Sequence, residues 1–365
     1  DHLLNYNRLI MNKINSLFIT SHIKKQGPNN QLRFLLTNLE RDVSPIVCVL
    51  GCRELNYNTT EIEKVCKVIY LNLSWIEGVI ISPFKVQTII KKYHIDIVQS
   101  FGIRCDIISL FLNKVKKVVV VRNLTMINWS VKGVLGKLIG YTHLKIIKSF
   151  DAIIACSAGV QEHLLDYGIK SVVINNSISL KMKLGEVNKS DTKFNNFVTV
   201  STMHPGKNIE FIIKTFITAT DLEDCRLNII GFAHHELQQK YKKHKNIIFH
   251  GHVDNPLQVY AANDCFISAS LHEGLPNAVL EALSVCCPVI LSDITSHKVI
   301  VEGYNDIGKT FSNDSQTSLV AAIKEQKDML SHVNDKHFFE LLEKRFSPKN
   351  MAKNYVAQYK ETMNV

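Results

Sequence analysis

The feature that most constrains this sequence is a repeated alternation of short β-branched runs with amphipathic stretches. Runs such as KVVVV (117–121) and AIIAC (152–156) have the length and composition of buried strands. Between them lie helical patterns such as NQLRFLLTNL (30–39), which places its leucines on one side. Strands that alternate with helices are typical of parallel sheets, so an α/β protein is predicted. The predicted strands are 16–21, 46–50, 67–71, 96–100, 117–121, 152–156 and 171–175, then 197–201, 225–230, 246–250, 264–268 and 287–292.

The alternation lapses once, in the polar segment KMKLGEVNKSDTKFNN (181–196). A length of 365 residues also favours two domains. We therefore predict two doubly wound, Rossmann-like domains that face each other across a cleft, with ligands at the carboxyl ends of the strands. The predicted parts are an N-terminal domain (11–182), a linker (183–196), a C-terminal domain (197–345) and a terminal helix (346–365) that packs back on the first domain. Residues 1–10 precede a plausible start at Met11 and are set aside.

The composition excludes several classes of protein. It is 46% hydrophobic and 21% charged, which is ordinary for a globular chain. No apolar stretch approaches the ~18–20 residues that a membrane span needs. The nine cysteines form no C-x-x-C pair and several lie in apolar runs, which predicts reduced, buried thiols and a cytoplasmic protein. No clustered ligands suggest zinc, and residues 1–10 do not resemble a secretory signal.

The charge is concentrated in the first half. The whole chain carries a formal net charge of +10, whereas residues 1–190 alone carry +12. Residues 101–150 contain nine basic residues and one acid, Asp106. Such a surface attracts anionic lipids or nucleic acid. No nucleic-acid-binding motif is present, so a membrane surface is favoured, and a solvated basic surface without a partner is the alternative.

One basic segment, VKGVLGKLIG (131–140), has the pattern of an amphipathic helix. Lys132 and Lys137 lie outside its apolar arc. We expect this helix to lie on the inner face of the plasma membrane; the alternative is a helix packed on the sheet. The arc consists of Val131, Val134, Leu135, Leu138 and Ile139.

The segment SASLHEGLPNAVLEAL (268–283) carries the most chemical information. Glu273 lies in a loop after a strand, a helix begins at about Pro276, and Glu281 lies roughly 7 Å along its axis. Backbone amides at the positive end of that helix lie between the two carboxylates. This layout suits a nucleotide-sugar, with hydroxyls at both ends and a diphosphate between them. The alternative is an ordinary loop glutamate and a solvated helix glutamate.

A second loop, 201–208, also follows a strand and opens a helix. Lys207 in that loop could reach a phosphate at the start of the helix, or it could be a surface lysine. Both loops are predicted at strand ends of one domain, where they would share a ligand.

These residues carry a resemblance to a known family. The segment 272–281 resembles the E-x7-E motif of family 4 retaining glycosyltransferases, which have the GT-B fold. Weaker similarities cover roughly residues 14–325. They are Gly27-Pro28 (glycine loop), DIVQS (96–100), DAIIACS (151–157), NNSIS (175–179) and FHGHV (249–253).

The resemblance implies a role for each matching residue. Glu273 would face the sugar hydroxyls and Glu281 the ribose, while Lys207 would neutralise the diphosphate. The remaining donor-binding residues would be Gly274, Leu275, Pro276 and Asn277 at the sugar and phosphate, His252 and Val253 beside the base, and Gly27 near the phosphate or acceptor.

Two positions depart from the family pattern. Thr202 stands where the family commonly has arginine, five residues before the lysine. Arg122 stands where a histidine often contacts the donor sugar. We count Thr202 among the donor-binding residues and Arg122 among the catalytic candidates, with a basic surface residue as the alternative for Arg122.

The predicted activity is retaining transfer of a sugar from a nucleoside diphosphate-sugar, UDP-linked by expectation, to a glycan or lipid-linked glycan. The pathway would be cell-surface polysaccharide synthesis, such as lipopolysaccharide. We expect no cofactor, no metal and no nucleic acid. The alternatives are a catalytically weak accessory protein of the same fold, or an epimerase or phosphorylase. No G-x-G-x-x-G follows a strand, which disfavours a dinucleotide oxidoreductase.

Overall fold

The chain consists of two compact units, as seen in a computed structural model. The first unit comprises Asp1–Ser177 and Pro348–Val365, and the second comprises Ile178–Ser347. The structure describes residues 13–24, 27–130, 132–179, 194–201, 204–232, 235–329 and 335–364. The predicted linker, 183–196, lies almost wholly outside these residues.

The first unit is built on a seven-stranded parallel sheet with the order β3-β2-β1-β4-β5-β6-β7. Its strands are β1 (Ile14–Thr20), β2 (Val43–Val49), β3 (Lys67–Tyr70), β4 (Ile97–Phe101), β5 (Lys116–Val121), β6 (Ala152–Ala155) and β7 (Val172–Val173). Its helices are α1 (Gly27–Asn38), α2 (Tyr57–Val65), α3 (Trp75–Ile80), α4 (Ser82–Tyr93), α5 (Ile103–Leu110), α6 (Thr125–Ser130), α7 (Gly133–Lys148) and α8 (Ala158–Leu165).

The second unit is built on a six-stranded parallel sheet with the order β10-β9-β8-β11-β12-β13. Its strands are β8 (Asn196–Ser201), β9 (Arg226–Gly231), β10 (Ile247–Gly251), β11 (Cys265–Ser268), β12 (Val289–Ser292) and β13 (Gly308–Phe311). Its helices are α9 (Ile209–Thr218), α10 (His235–Tyr241), α11 (Pro256–Ala261), α12 (Asn277–Leu283), α13 (Thr295–Val301), α14 (Gln316–Met329) and α15 (Asp335–Phe346).

Both sheets confirm the predicted fold class. In each sheet the first strand of the unit lies between the second and the fourth, so the strand order reverses beside it. Strand β13 was not predicted. It is only four residues long and contains Lys309 and Thr310, so it lacks the apolar run that marks a buried strand.

Two further observations concern the cysteines and the helices of the described residues. All nine cysteines are free of disulfide bonds, and seven of them are buried. No described helix is long and apolar enough to cross a bilayer.

The last helix, α16 (Pro348–Met363), belongs to the first unit. It packs against α1 and contributes Tyr355 and Tyr359 to the same core as the strands. The hydroxyl of fully buried Tyr359 donates to the side-chain oxygen of Gln99 on β4, and Lys360 pairs with Asp42 at 2.6 Å. The C-terminal end of the chain therefore completes the core of the first unit.

Replacement of Tyr359 tests this packing. Tyr359→Ala leaves a cavity and an unpaired Gln99, so we expect a loss of about 3–5 kcal/mol in the free energy of unfolding. Urea unfolding measures the loss, with exposed Lys353→Ala on the same helix as the control. Equal stability of the two variants would contradict the packing of α16.

Candidate functional site

Lys207 and Glu273 meet in the second unit, at the carboxyl edge of its sheet. Strands β8 and β11 are neighbours where the strand order reverses, and the loop after each carries one of the two residues. The Lys207 ammonium donates to the Glu273 carboxylate. The side chains are only 26% and 14% exposed, so this ion pair is mostly shielded from water. The structure thus brings together the two residues predicted to bind sugar and diphosphate.

The two loops are also joined through their backbones. A 3₁₀ turn over Pro205–Lys207 is capped by His204, whose Nδ1 accepts from the Gly206 amide at 3.1 Å. The Gly206 carbonyl in turn accepts from the Leu271 amide at 2.8 Å. A Cβ at Gly206 would lie 2.9 Å from the rings of His204 and His272, so the close approach of the loops requires glycine.

Glu273 is held as a carboxylate. Burial favours its neutral form, but the Lys207 charge and hydrogen bonds from Lys207 and Ser270 outweigh it, so the pKa of Glu273 is lowered. The Ser270 hydroxyl donates to the carboxylate at 2.7 Å. Ser270 lies three residues before Glu273, and no sequence motif marked it as a site residue.

A second layer of polar side chains supports the loop. The Ser292 hydroxyl, at the end of β12, donates to the Ser270 carbonyl at 2.6 Å. Nδ1 of His297 lies 2.8 Å from that hydroxyl and 3.1 Å from the Ser292 carbonyl, so Nδ1 must be the protonated nitrogen. Burial lowers the pKa of His297 to about 4, and the ring is neutral. The polar run SDITSH directly after β12 is the sequence signal for this layer.

Several buried polar atoms around this loop have no hydrogen-bond partner among the described residues. In a folded protein such atoms are uncommon, and a cluster of them marks a polar site. They are Nε2 of His272, Oδ1 of Asn277, Nε2 of His297 and Oδ1 of Asn313.

Glu281 lies on α12, which begins at Asn277 with Pro276 as its N-cap. The structure thus shifts the predicted start of the helix by one residue. Burial raises the pKa of Glu281 to about 7, because no positive charge offsets the desolvation of its carboxylate. Gly274, Leu275, Pro276 and Asn277 form the connection between the two glutamates, as predicted from their spacing.

An aromatic pair lies at the ends of β9 and β10. The His252 ring stacks on Phe232 with centroids 5.3 Å apart, and Phe232 is 60% exposed. Val253 follows in the same loop and is half-buried. Gly231, with a φ of 92°, lets β9 end against β8, since a Cβ would lie 2.3 Å from the Ser201 carbonyl oxygen. Phe232 was missed, although an aromatic residue after a strand-ending glycine is a usable signal.

The other predicted site residues lie elsewhere. Arg122 and Gly27 belong to the first unit, where the Arg122 guanidinium donates to the Pro28 carbonyl at 2.9 Å and covers the Phe101 ring. Arg122 therefore fixes the start of α1 and is no freely solvated surface residue. Thr202 lies outside the described residues. Among the described residues, no three His, Cys, Asp or Glu side chains are grouped as a metal site.

Comparison with known proteins identifies the family. The model of the family described as Glycosyltransferase Family 4 matches residues 27–181, and that of Glycosyl transferases group 1 matches residues 195–326. The chain belongs to the GT-B glycosyltransferases.

Individual relatives of this glycosyltransferase cover less of it. An uncharacterized glycosyltransferase of Methanocaldococcus jannaschii is 33% identical over 103 residues, 27% of this chain and 25% of its own. A UDP-Gal:alpha-D-GlcNAc-diphosphoundecaprenol alpha-1,3-galactosyltransferase of Escherichia coli is 26% identical over 187 residues, 46% of this chain and 48% of its own. The alignments thus span a quarter to about half the length of these curated relatives.

A solved structure matches the whole glycosyltransferase fold. Anabaena HepE in complex with UDP and glucose has a TM-score of 0.74 and 15% identity, and the match covers 95% of this chain and 99% of that one. At this identity the likeness establishes the fold alone.

The raised pKa of Glu281 generates a prediction on stability. In the unfolded chain a glutamate ionises near pH 4.3, whereas Glu281 in the fold ionises near 7. Ionisation of Glu281 therefore lowers the free energy of unfolding. The loss is absent below about pH 4.5, grows as the pH rises and is complete above about pH 7. We expect Glu281→Gln to raise Tm at pH 8 and to leave it nearly unchanged at pH 4.5. An equal effect at both pH values, measured by thermal unfolding, would contradict this environment.

Proposed function

We propose that this glycosyltransferase moves a sugar from a UDP-sugar to a glycan or lipid-linked glycan acceptor, with retention of anomeric configuration. The observation that carries the proposal is the Lys207–Glu273 pair where the strand order of the second sheet reverses. Ligands of doubly wound sheets bind at such points. A cation and a carboxylate placed there match the diphosphate and the sugar hydroxyls of a nucleotide-sugar.

The proposed chemistry is electrostatic. The bond between the anomeric carbon and the diphosphate oxygen breaks through an oxocarbenium-like sugar, and the departing diphosphate takes the electron pair. An acceptor hydroxyl bonds to the anomeric carbon on the same face, and its proton passes to the departing diphosphate. On donor binding, the Lys207 ammonium exchanges the Glu273 carboxylate for the phosphate oxygens and stabilises their growing charge. Glu273 is then available to accept hydrogen bonds from the sugar. Before the donor binds, the Lys207 charge holds the pKa of Glu273 low, so the donor meets an ionised carboxylate that can accept hydrogen bonds.

The nucleoside end of the donor is assigned to two further features. Glu281 would accept from the ribose hydroxyls, which would supply polar partners that its carboxylate does not find among the described residues. The Phe232–His252 pair and Val253 would border the base. The choice of uracil is supported by the UDP that HepE binds and by the UDP-Gal named for the Escherichia coli relative.

The acceptor is assigned to the first unit. That unit carries the basic surface, and the Escherichia coli relative is named for a diphosphoundecaprenol acceptor. We therefore propose a role in cell-surface polysaccharide synthesis at the inner face of the plasma membrane. We infer retention of configuration and metal independence from the family resemblance. The coupling constant of the anomeric proton in the product would test retention.

A thermal-shift panel tests the donor. Because a ligand that binds only the folded state raises Tm, we expect UDP and UDP-sugars to raise it by several degrees. ADP and GDP serve as the matched controls. No shift with any nucleoside diphosphate would contradict the proposal, and release of an isomerised free nucleotide-sugar without acceptor would favour an epimerase.

Replacement of Lys207 tests the phosphate contact. A charge-assisted hydrogen bond contributes about 1.5–3 kcal/mol, so Lys207→Ala should lower turnover by about ten- to a hundredfold. Exposed Lys214→Ala on the following helix is the matched control.

The double variant Lys207→Ala/Glu273→Gln separates the two roles of the lysine. It removes the buried carboxylate charge along with its partner, so we expect a Tm near that of the wild type. Turnover should stay at or below that of Lys207→Ala, because Glu273 also contacts the sugar, and the loss is then not caused by unfolding. Unchanged turnover in Lys207→Ala would refute the assigned role.

A further inference from the structure

Helix α7 turns its apolar side chains toward solvent. Val134, Leu135, Leu138 and Tyr141 are 87%, 69%, 62% and 52% exposed. Their spacing along a 16-residue helix places them on one face. Single exposed apolar residues are common on protein surfaces, but a contiguous set on one helix marks an interaction site.

The packing of the opposite face prevents this helix from turning inward. A Cβ at Gly136 would lie 2.0 Å from the Trp129 carbonyl oxygen, and one at Gly140 would lie 2.8 Å from the sulfur of Met126. Only a glycine face fits against α6 so closely. Val134, Leu135 and Leu138 of the predicted apolar arc are therefore not packed on the sheet, whereas Ile139 is half-buried. Of that arc, Val131 lies outside the described residues.

The far end of α7 is fixed as well. Nε2 of His143 lies 2.8 Å from the buried Asp106 carboxylate on α5, which also accepts from Ser100 at 2.5 Å. Leu144 and Ile147 are buried on the same side. These buried contacts fix the orientation of α7 and so keep its apolar face toward solvent.

The side-chain charges that α7 itself carries are all positive. Asp106, the one acid in residues 101–150, is buried, so it does not contribute a surface charge. The next exposed acids are Asp151, which pairs with Lys116 at 3.3 Å, and Glu162 and Asp166 on the neighbouring helix α8 and at its end. The exposed lysines on and beside α7 are Lys132, Lys137, Lys145 and Lys148.

We propose that this face, made of Val134, Leu135, Leu138 and Tyr141 with its flanking lysines, inserts between the headgroups of an anionic bilayer. Apolar side chains enter the acyl boundary while lysines remain among the phosphates. A nucleic acid offers no partner for the apolar residues. A second copy would place lysines against lysines. The surface lies wholly in the first unit; only its use, access to a lipid-linked acceptor, rests on the proposed function.

Vesicle flotation of the full chain tests the proposal. The probes are phosphatidylcholine vesicles with and without phosphatidylglycerol, at low and high salt. We expect the chain to float with the anionic vesicles and to bind neutral ones about tenfold less, with salt weakening the binding.

Surface variants locate the binding face. The triple variant Val134→Ser/Leu135→Ser/Leu138→Ser should bind anionic vesicles about tenfold less, since it removes the inserted groups. A matched triple at exposed apolar residues outside α7, Leu55→Ser/Val65→Ser/Val172→Ser, should bind like the wild type. Both triples should retain the thermal shift with UDP, so that failure here is distinguishable from failure of the donor assignment.

Three outcomes would overturn the proposal. The first is a wild type that does not float with anionic vesicles. The second is an α7 triple variant that floats as well as the wild type. The third is a dimer, seen by sedimentation equilibrium, that the α7 triple variant abolishes, which would assign the face to a second copy instead.

Discussion

The second unit depends on one constraint: the Glu273 carboxylate is mostly buried and needs a positive charge beside it. An unpaired carboxylate in such a position is costly, because desolvation penalises the charged form. Lys207 supplies the charge. Gly206 lets the two loops approach, and Ser270 satisfies a further lone pair of the carboxylate. The pair is therefore a preorganised arrangement in which a diphosphate can replace the carboxylate as the partner of the lysine.

Sheet topology explains how residues so far apart in sequence become partners. Strands β9 and β10 lie to one side of β8, while β11 returns to the other side. The loops after β8 and β11 consequently meet at one edge, although Lys207 and Glu273 are 66 residues apart. The strand order in the first unit is of the same kind and places β4 beside β1. In each unit, the loops after the first and fourth strands therefore lie next to each other at the carboxyl edge of the sheet.

The sequence predicted most of the fold because period and composition report burial directly. Twelve of the thirteen described strands coincide with apolar runs in the sequence. Strand β13 was not predicted, because half of its residues are polar. The sequence predicted that Glu273 and Lys207 lie at the same edge of one sheet, but it did not predict that they form an ion pair. Buried networks such as Ser292–His297 depend on contacts between loops, which no local pattern encodes. For α7, an apolar arc can face a core or a partner, and only the contacts of Gly136 and Gly140 decide between them.

The most direct test of the central claim is a crystal structure of the second unit's site with an intact UDP-sugar, determined on the full chain. The account predicts that the Lys207 ammonium lies within hydrogen-bond distance of the diphosphate and that Glu273 accepts from a sugar hydroxyl. A donor bound away from the ends of β8 and β11, with Lys207 and Glu273 still paired to each other, would contradict it.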